Sequence, residues 1–156
     1  VNATKNDIDI DLDTLNKLRS RRIPDTLKHE LEGNLTKVEL KDALFNNMKP
    51  NSAPGIDRFS VAFVRNFWTS LDNLVWLSIN NMKRKGMLSS TFKAAILKLL
   101  RKGDKDPTQA GNFRPISLLS VFYNIASSTI SNRIKKTPTH IIGKQQKAYL
   151  PHYNKG

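Results

Sequence analysis

The chain has 156 residues, 38% hydrophobic and 25% charged, with no cysteine and a formal net charge of +13 at pH 7. That length allows one domain with a real core. The lack of cysteine excludes disulfides, thiolate zinc centres and cysteine nucleophiles.

The first thirteen residues are polar and acidic, with Asp alternating with Ile or Leu toward their end, and form no signal peptide. Val1 in place of Met is expected of a chain cut out of something longer. Arg19, Arg21 and Arg22 precede Pro24, which reads as a loop or frayed helix. Residues 1–34 are therefore expected to be a poorly ordered N-terminal segment.

The first strongly marked element starts at Thr36. Thr36 and Glu39 have capping-box spacing, Leu35 and Leu40 stand where a hydrophobic staple closes, and Leu40, Leu44 and Met48 form one apolar stripe. Pro50 ends that helix. Residues 49–59 read as a structured loop around the Pro54-Gly55 turn signal. Ser60 caps the next helix, with a stripe of Phe63, Phe67, Leu71, Leu74 and Met82 and a break near Ser70. Lys83, Arg84 and Lys85 suit its last turn, and Gly86 its stop. Phe63, Phe67, Trp68 and Trp76 are of the type that stacks on bases, but helical spacing assigns Phe63 and Phe67 to the core.

Residues 94–101 are a nearly continuous apolar run, and 102–112 are dense in turn formers. Residues 113–119 contain Pro115, which suits an edge strand. Together these predict a β-hairpin with a long charged tip, residues 94–101 pairing with 113–119. Phe122, Ala126, Ile130 and Ile134 mark a last helix that ends before Pro138. The fold class expected is α+β, helices around a short antiparallel β-hairpin.

Charge is unevenly placed. Residues 1–48 hold 8 basic and 9 acidic residues, whereas residues 49–156 hold 18 basic and 4 acidic ones. Such asymmetry favours a polyanionic partner, nucleic acid first. No membrane partner is expected, since no apolar run spans a bilayer and the basic residues do not oppose one clean apolar helix face. An intracellular location follows as the expectation. His29, His140 and His152 are too scattered for a metal site.

Three stretches in fixed order carry more specific information: Ala-Pro-Gly-Ile-Asp at 53–57, Asn-Phe-Arg-Pro-Ile-Ser-Leu-Leu-Ser at 112–120, and Gln-Lys-Ala-Tyr-Leu-Pro at 146–151. With Leu-Leu-Arg-Lys-Gly-Asp-Lys-Asp-Pro just before the second, this order resembles the reverse transcriptase of non-LTR (LINE-type) retrotransposons, from about Leu35 onward. The resemblance implies that residues 35–156 are the fingers and palm entry of a right-hand polymerase, cut before the catalytic palm motifs. It implies nucleotide-phosphate contacts by Lys102 and Arg114, and a template-side loop containing Pro54, Gly55 and Asp57. RNA template and DNA primer are the implied partners, and Mg²⁺ the metal of the complete enzyme.

Polymerase chemistry needs clustered carboxylates holding two metals. Asp57 stands alone and reads better as a loop-capping residue holding backbone N–H groups. Neither the Asp-bearing strand nor the Tyr/Phe-x-Asp-Asp turn of the family occurs. No catalytic residue, metal ligand or cofactor is thus assigned to this chain, which is expected to be inactive alone. For Arg114 the structural alternative is a pair with Asp104 or Asp106 at the hairpin tip.

The sequence departs from the family pattern in several places. Arg58 stands where a Gly usually follows the Asp of the first motif, putting that loop's backbone shape in doubt. Ala148 and His152 replace usual glycines, and Arg101 a common Pro. An inactive relic or a non-enzymatic basic nucleic-acid-binding module is the alternative. A helical protein-interaction domain is a third reading, which requires an exposed apolar patch.

Overall fold

The computed structural model describes residues 22–137 and Ile141. The motif at 146–151, most of the 1–34 segment, His140 and His152 lie outside the described residues. The chain divides into two compact units, residues 33–132, and residues 1–32 with 133–156.

In the smaller unit, helix α1 (Asp25–Glu32) starts directly after Pro24. The sequence pattern did not mark it, and none of its side chains is buried. Lys136 pairs with Glu30, and the Thr137 hydroxyl donates to Ile134 O at 2.8 Å.

The larger unit is α+β. It contains α2 (Lys37–Asn46), α3 (Val61–Asn66), α4 (Trp68–Lys85), α5 (Ser90–Lys93), β1 (Ala95–Arg101), β2 (Phe113–Leu119) and α6 (Val121–Ile134), the last ending in the other unit. The capping box at Thr36 and Glu39 is complete in both directions. Leu35, Leu40 and Leu44 are buried as expected, each worth about 2–3 kcal/mol of apolar transfer. Gly86, at φ 62°, ends α4 after its basic last turn, and Met87 N–H reaches back to Met82 O at 3.2 Å.

The fully buried stripes run one position away from those expected, although Leu71, Met82, Phe122 and Ala126 of the expected stripes pack partly buried against the core. Phe63 and Phe67 are 39% and 52% exposed, while Trp68 is 6% exposed. The buried series is Val61, Val64, Trp68, Val75 and Ile79. It still has helical spacing, and the large indole anchors it across the break at Phe67 (φ −101°, ψ 13°). The displaced rings stack instead along the surface, with Phe59–Phe63 centroids at 5.3 Å and Phe63–Phe67 at 4.8 Å. Helix α6 shows the same displacement. Val121, Ile125 and Thr129 are buried, whereas Ile130 and Ile134 are exposed. Thr129 belongs on that stripe because its hydroxyl donates to Ile125 O at 2.8 Å.

Arg65 shows how a cation serves the fold. Its guanidinium donates to Leu44 O, Phe45 O and Met48 O, at 2.6 to 3.2 Å, and lies 5.3 Å from the Phe45 ring centroid. Leu44 O and Phe45 O are among the carbonyls left open at the end of α2, and Met48 O lies just beyond its cap, so Arg65 closes that helix from outside.

β1 and β2 form a two-stranded antiparallel sheet in the register Ala95↔Leu119 through Arg101↔Phe113, as the sequence predicts. Lys102 N–H donates to Asn112 O at 2.8 Å. Even-numbered positions are therefore the hydrogen-bonded pairs, and Leu99↔Pro115 is a non-hydrogen-bonded pair. Pro115 loses no ladder bond, because its missing N–H would point to the open edge. The strands are exposed throughout β1, with Leu97 at 65% and Leu99 at 58%.

Candidate nucleotide-phosphate site

The first motif loop is fixed against the end of the second motif. Residues Gly55 to Arg58 make a turn closed by Arg58 N–H to Gly55 O at 3.0 Å. Gly55 is buried where a Cβ would meet Ser120 N at 2.5 Å and Leu119 C at 2.6 Å. Only a residue without a side chain allows that approach. Asp57 Oδ1 accepts from Phe59 N–H at 3.3 Å, and Oδ2 accepts from the Ser120 hydroxyl at 2.6 Å. Ser120 Oγ in turn accepts from Phe122 N–H at 3.2 Å, in the first turn of α6. Asp57 is a loop-capping residue, as its isolation in sequence implied. Gly55 and Asp57 hold the loop in place, and Ile56 and Arg58 form its exposed surface.

Arg58 has φ 60°, and it is the one non-glycine residue with positive φ among the described residues. The loop thus has a glycine-type backbone at an arginine. An L-residue there costs about 1–2 kcal/mol, and glycine's own entropy returns about 0.5–1 kcal/mol of that. Arg58→Gly should therefore stabilise the protein by about 0.5–1 kcal/mol in urea unfolding. A lower midpoint than wild type would refute this account of the loop.

Arg114 stands opposite Leu100 in the ladder and is exposed. Its guanidinium makes no hydrogen bond or ion pair with any described residue. The alternative partners are placed otherwise. Asp106 accepts from the Thr108 backbone N–H at 2.9 Å and from its hydroxyl at 2.7 Å. These two bonds, the backbone one first, hold its carboxyl below the ordinary value. Asp104 makes no bond to Arg114.

Lys102 is half-buried, and its Nζ donates to Gly111 O at 2.9 Å across the hairpin base. Because the ladder alternates faces, Lys102 and Arg114 project from the same face, at diagonal positions about 7–8 Å apart. Lys98 shares that face, on the opposite diagonal from Arg114. Sequence reasoning did not single out Lys98, although its even spacing from Lys102 within one strand carries the signal.

Several other cations are committed elsewhere. Lys37 pairs with Asp72 at 3.3 Å, Lys83 donates to Gly33 O, and Arg65 serves the α2 carbonyls. The residues expected in a template-side loop and the two cations expected to contact phosphate lie apart on the hairpin. Gly55 and Asp57 meet the far end of β2, at Leu119 and Ser120. Arg114 and Lys102 sit at the tip end of the hairpin.

Among the described residues no three His, Asp or Glu side chains cluster where a metal could be held, and no helix is long and apolar enough to cross a membrane.

No protein-family profile matches the chain. It is 34% identical over 125 residues, 80% of its length, to an uncharacterized 149 kDa protein of transposon TX1 from Xenopus laevis. It spans 9% of that protein's length. By this similarity the chain is related to a transposon-encoded protein.

Proposed function

We propose that this chain is the fingers-side part of a LINE-type reverse transcriptase. In this reading Arg114 and Lys102 contact the phosphates of the incoming nucleotide, and the loop at 54–58 lies on the template side. An RNA template and a DNA primer are the partners. The observation that carries the reading is Arg114: exposed, without an acidic partner, and on one face of the hairpin with Lys102. The relation to a transposon-encoded protein supports it independently.

The residue types suit the role. Arginine offers a planar, permanently charged fork for two phosphate oxygens, and lysine a compact point charge. Lys102 is held by Gly111 O, which leaves its ammonium two further donors for a phosphate. Two-metal phosphoryl transfer needs clustered carboxylates, and the donor set described above does not fit the Mg²⁺ of the family. The reading therefore assigns this chain binding and orientation, and no polymerisation by itself.

The test is deoxynucleoside triphosphate binding by the full chain. Arg114→Gln should weaken binding about tenfold, the loss of a charge-assisted bidentate contact. Arg114→Lys should recover part of that loss, because the charge returns without the fork. Equal affinity for wild type and Arg114→Gln would remove Arg114 from the site.

A further inference from the structure

The register of the hairpin groups more positive charge than the two residues just assigned. Positions 98 and 100 of β1 and 114 and 116 of β2 lie on one face, which Lys102 and Asn112, just beyond the strand ends, continue through the Lys102 N–H bond to Asn112 O. That face carries Lys98, Lys102 and Arg114, and no carboxylate. Arg114 lies opposite Leu100, so Lys98 and Lys102 flank it on both diagonals. Along the strand axis the three charges follow one another at about 6.6 Å, two residues at a time. Lys98 is exposed, and its ammonium makes no hydrogen bond or ion pair with any described residue. The side chains between them, Leu100 and Ile116, are apolar, so nothing on this face neutralises the row.

We infer that Lys98 is the third cation of the phosphate site, binding the polyphosphate chain of a nucleotide together with Arg114 and Lys102. The inference rests on the phosphate role proposed for Arg114 and adds a residue to it. Three like charges side by side repel one another in the empty site. A ligand with several linked phosphates relieves that repulsion, whereas a monophosphate engages only part of the row. A long flexible lysine at the end of the row suits the terminal phosphates, whose position varies more than that of the group held by the arginine fork.

The experiment measures binding of inorganic tripolyphosphate to the full chain at fixed ionic strength. Lys98→Gln should raise Kd about tenfold, and Lys98→Arg should stay within about twofold of wild type. Lys85→Gln removes the same charge from an exposed helix end and should change Kd by less than about twofold, as distant exposed charges are screened. Thermal melts of the three variants should coincide, since both lysines are exposed. If Lys98→Gln changes tripolyphosphate binding no more than Lys85→Gln does, the inference is overturned. It is also overturned if Lys98→Gln exceeds that control only with oligothymidylate, because the face would then track a nucleic-acid strand. Arg114→Gln in the same assay separates the two claims. Its loss of binding with an unaffected Lys98→Gln sinks only the third cation, whereas no loss in Arg114→Gln sinks the site itself.

Discussion

Gly55→Ala should lower stability by about 3 kcal/mol, a fall in Tm of roughly 10–20 °C for a body of about 100 residues. The added methyl would lie 2.5 Å from Ser120 N, 2.6 Å from Leu119 C and 2.7 Å from Leu119 O. All three are backbone atoms, so no side chain can swing away. Either the loop or the end of β2 has to move by about 1 Å, which is overpacking of the expensive kind. The same displacement lengthens the 2.6 Å bond between Asp57 and the Ser120 hydroxyl, adding about 1–2 kcal/mol as a part-buried carboxylate loses a donor. Gly111→Ala is the matched control. A methyl there meets nothing within 4 Å, so its Tm should change by less than about 2 °C. A Gly55→Ala melt as close to wild type as that control would show that the loop does not rest on the β2 backbone.

This contact also marks the limit of what sequence discloses. Gly55, Asp57 and Ser120 all fall inside stretches conspicuous as motifs, yet the Asp57–Ser120 bond joins residues 63 positions apart. Local pattern says that Asp57 caps something and that Gly55 turns. It does not name the partner, because the partner is set by how β2 runs into α6.

Local chemistry was legible wherever it acts over a few residues. The Thr36–Glu39 box, the Gly86 stop and the hairpin with Pro115 at a silent ladder position all emerge from spacing alone. Proximity of Lys102 to Arg114 followed from the hairpin. Helix phase was not legible to within one residue. Phe63 and Phe67 form a strong apolar stripe, but neighbouring Val64 and Trp68 form a second, and hydrophobicity does not rank them. On α6 the buried stripe passes through Thr129, whose polar label hides it. Composition does not reveal that the apolar strand run at 95–101 stays exposed.

The second large effect is expected at Asn80, a buried amide in the middle of α4. Its Oδ1 accepts from Leu35 N–H at 2.8 Å, and its Nδ2 donates to Leu35 O at 2.9 Å and Trp76 O at 3.0 Å. Trp76 Nε1 adds a bond to Leu35 O at 2.8 Å. One side chain thus satisfies both backbone groups of Leu35, just before the Thr36 cap, and pins the start of α2 to α4. Asn80→Ala leaves the Leu35 carbonyl its bond from Trp76 but strands the buried N–H. The cost should be about 2–4 kcal/mol in urea unfolding, the desolvated donor and the lost bonds together. Asn80→Asp gives a sharper test. It keeps an acceptor for Leu35 N–H but turns a carboxylate toward two carbonyl oxygens in a buried site. Burial and those oxygens raise the folded pKa of the new carboxyl above its unfolded value of about 3.9. The folded state then binds the proton more tightly, so the charge-related penalty is absent below about pH 4 and grows as pH rises through the folded pKa. Relative to wild type at each pH, Asn80→Asp should be markedly less destabilised at pH 4 than at pH 7, while the Asn80→Ala deficit stays nearly constant. An Asn80→Asp deficit independent of pH would mean that the amide faces water rather than the two carbonyls.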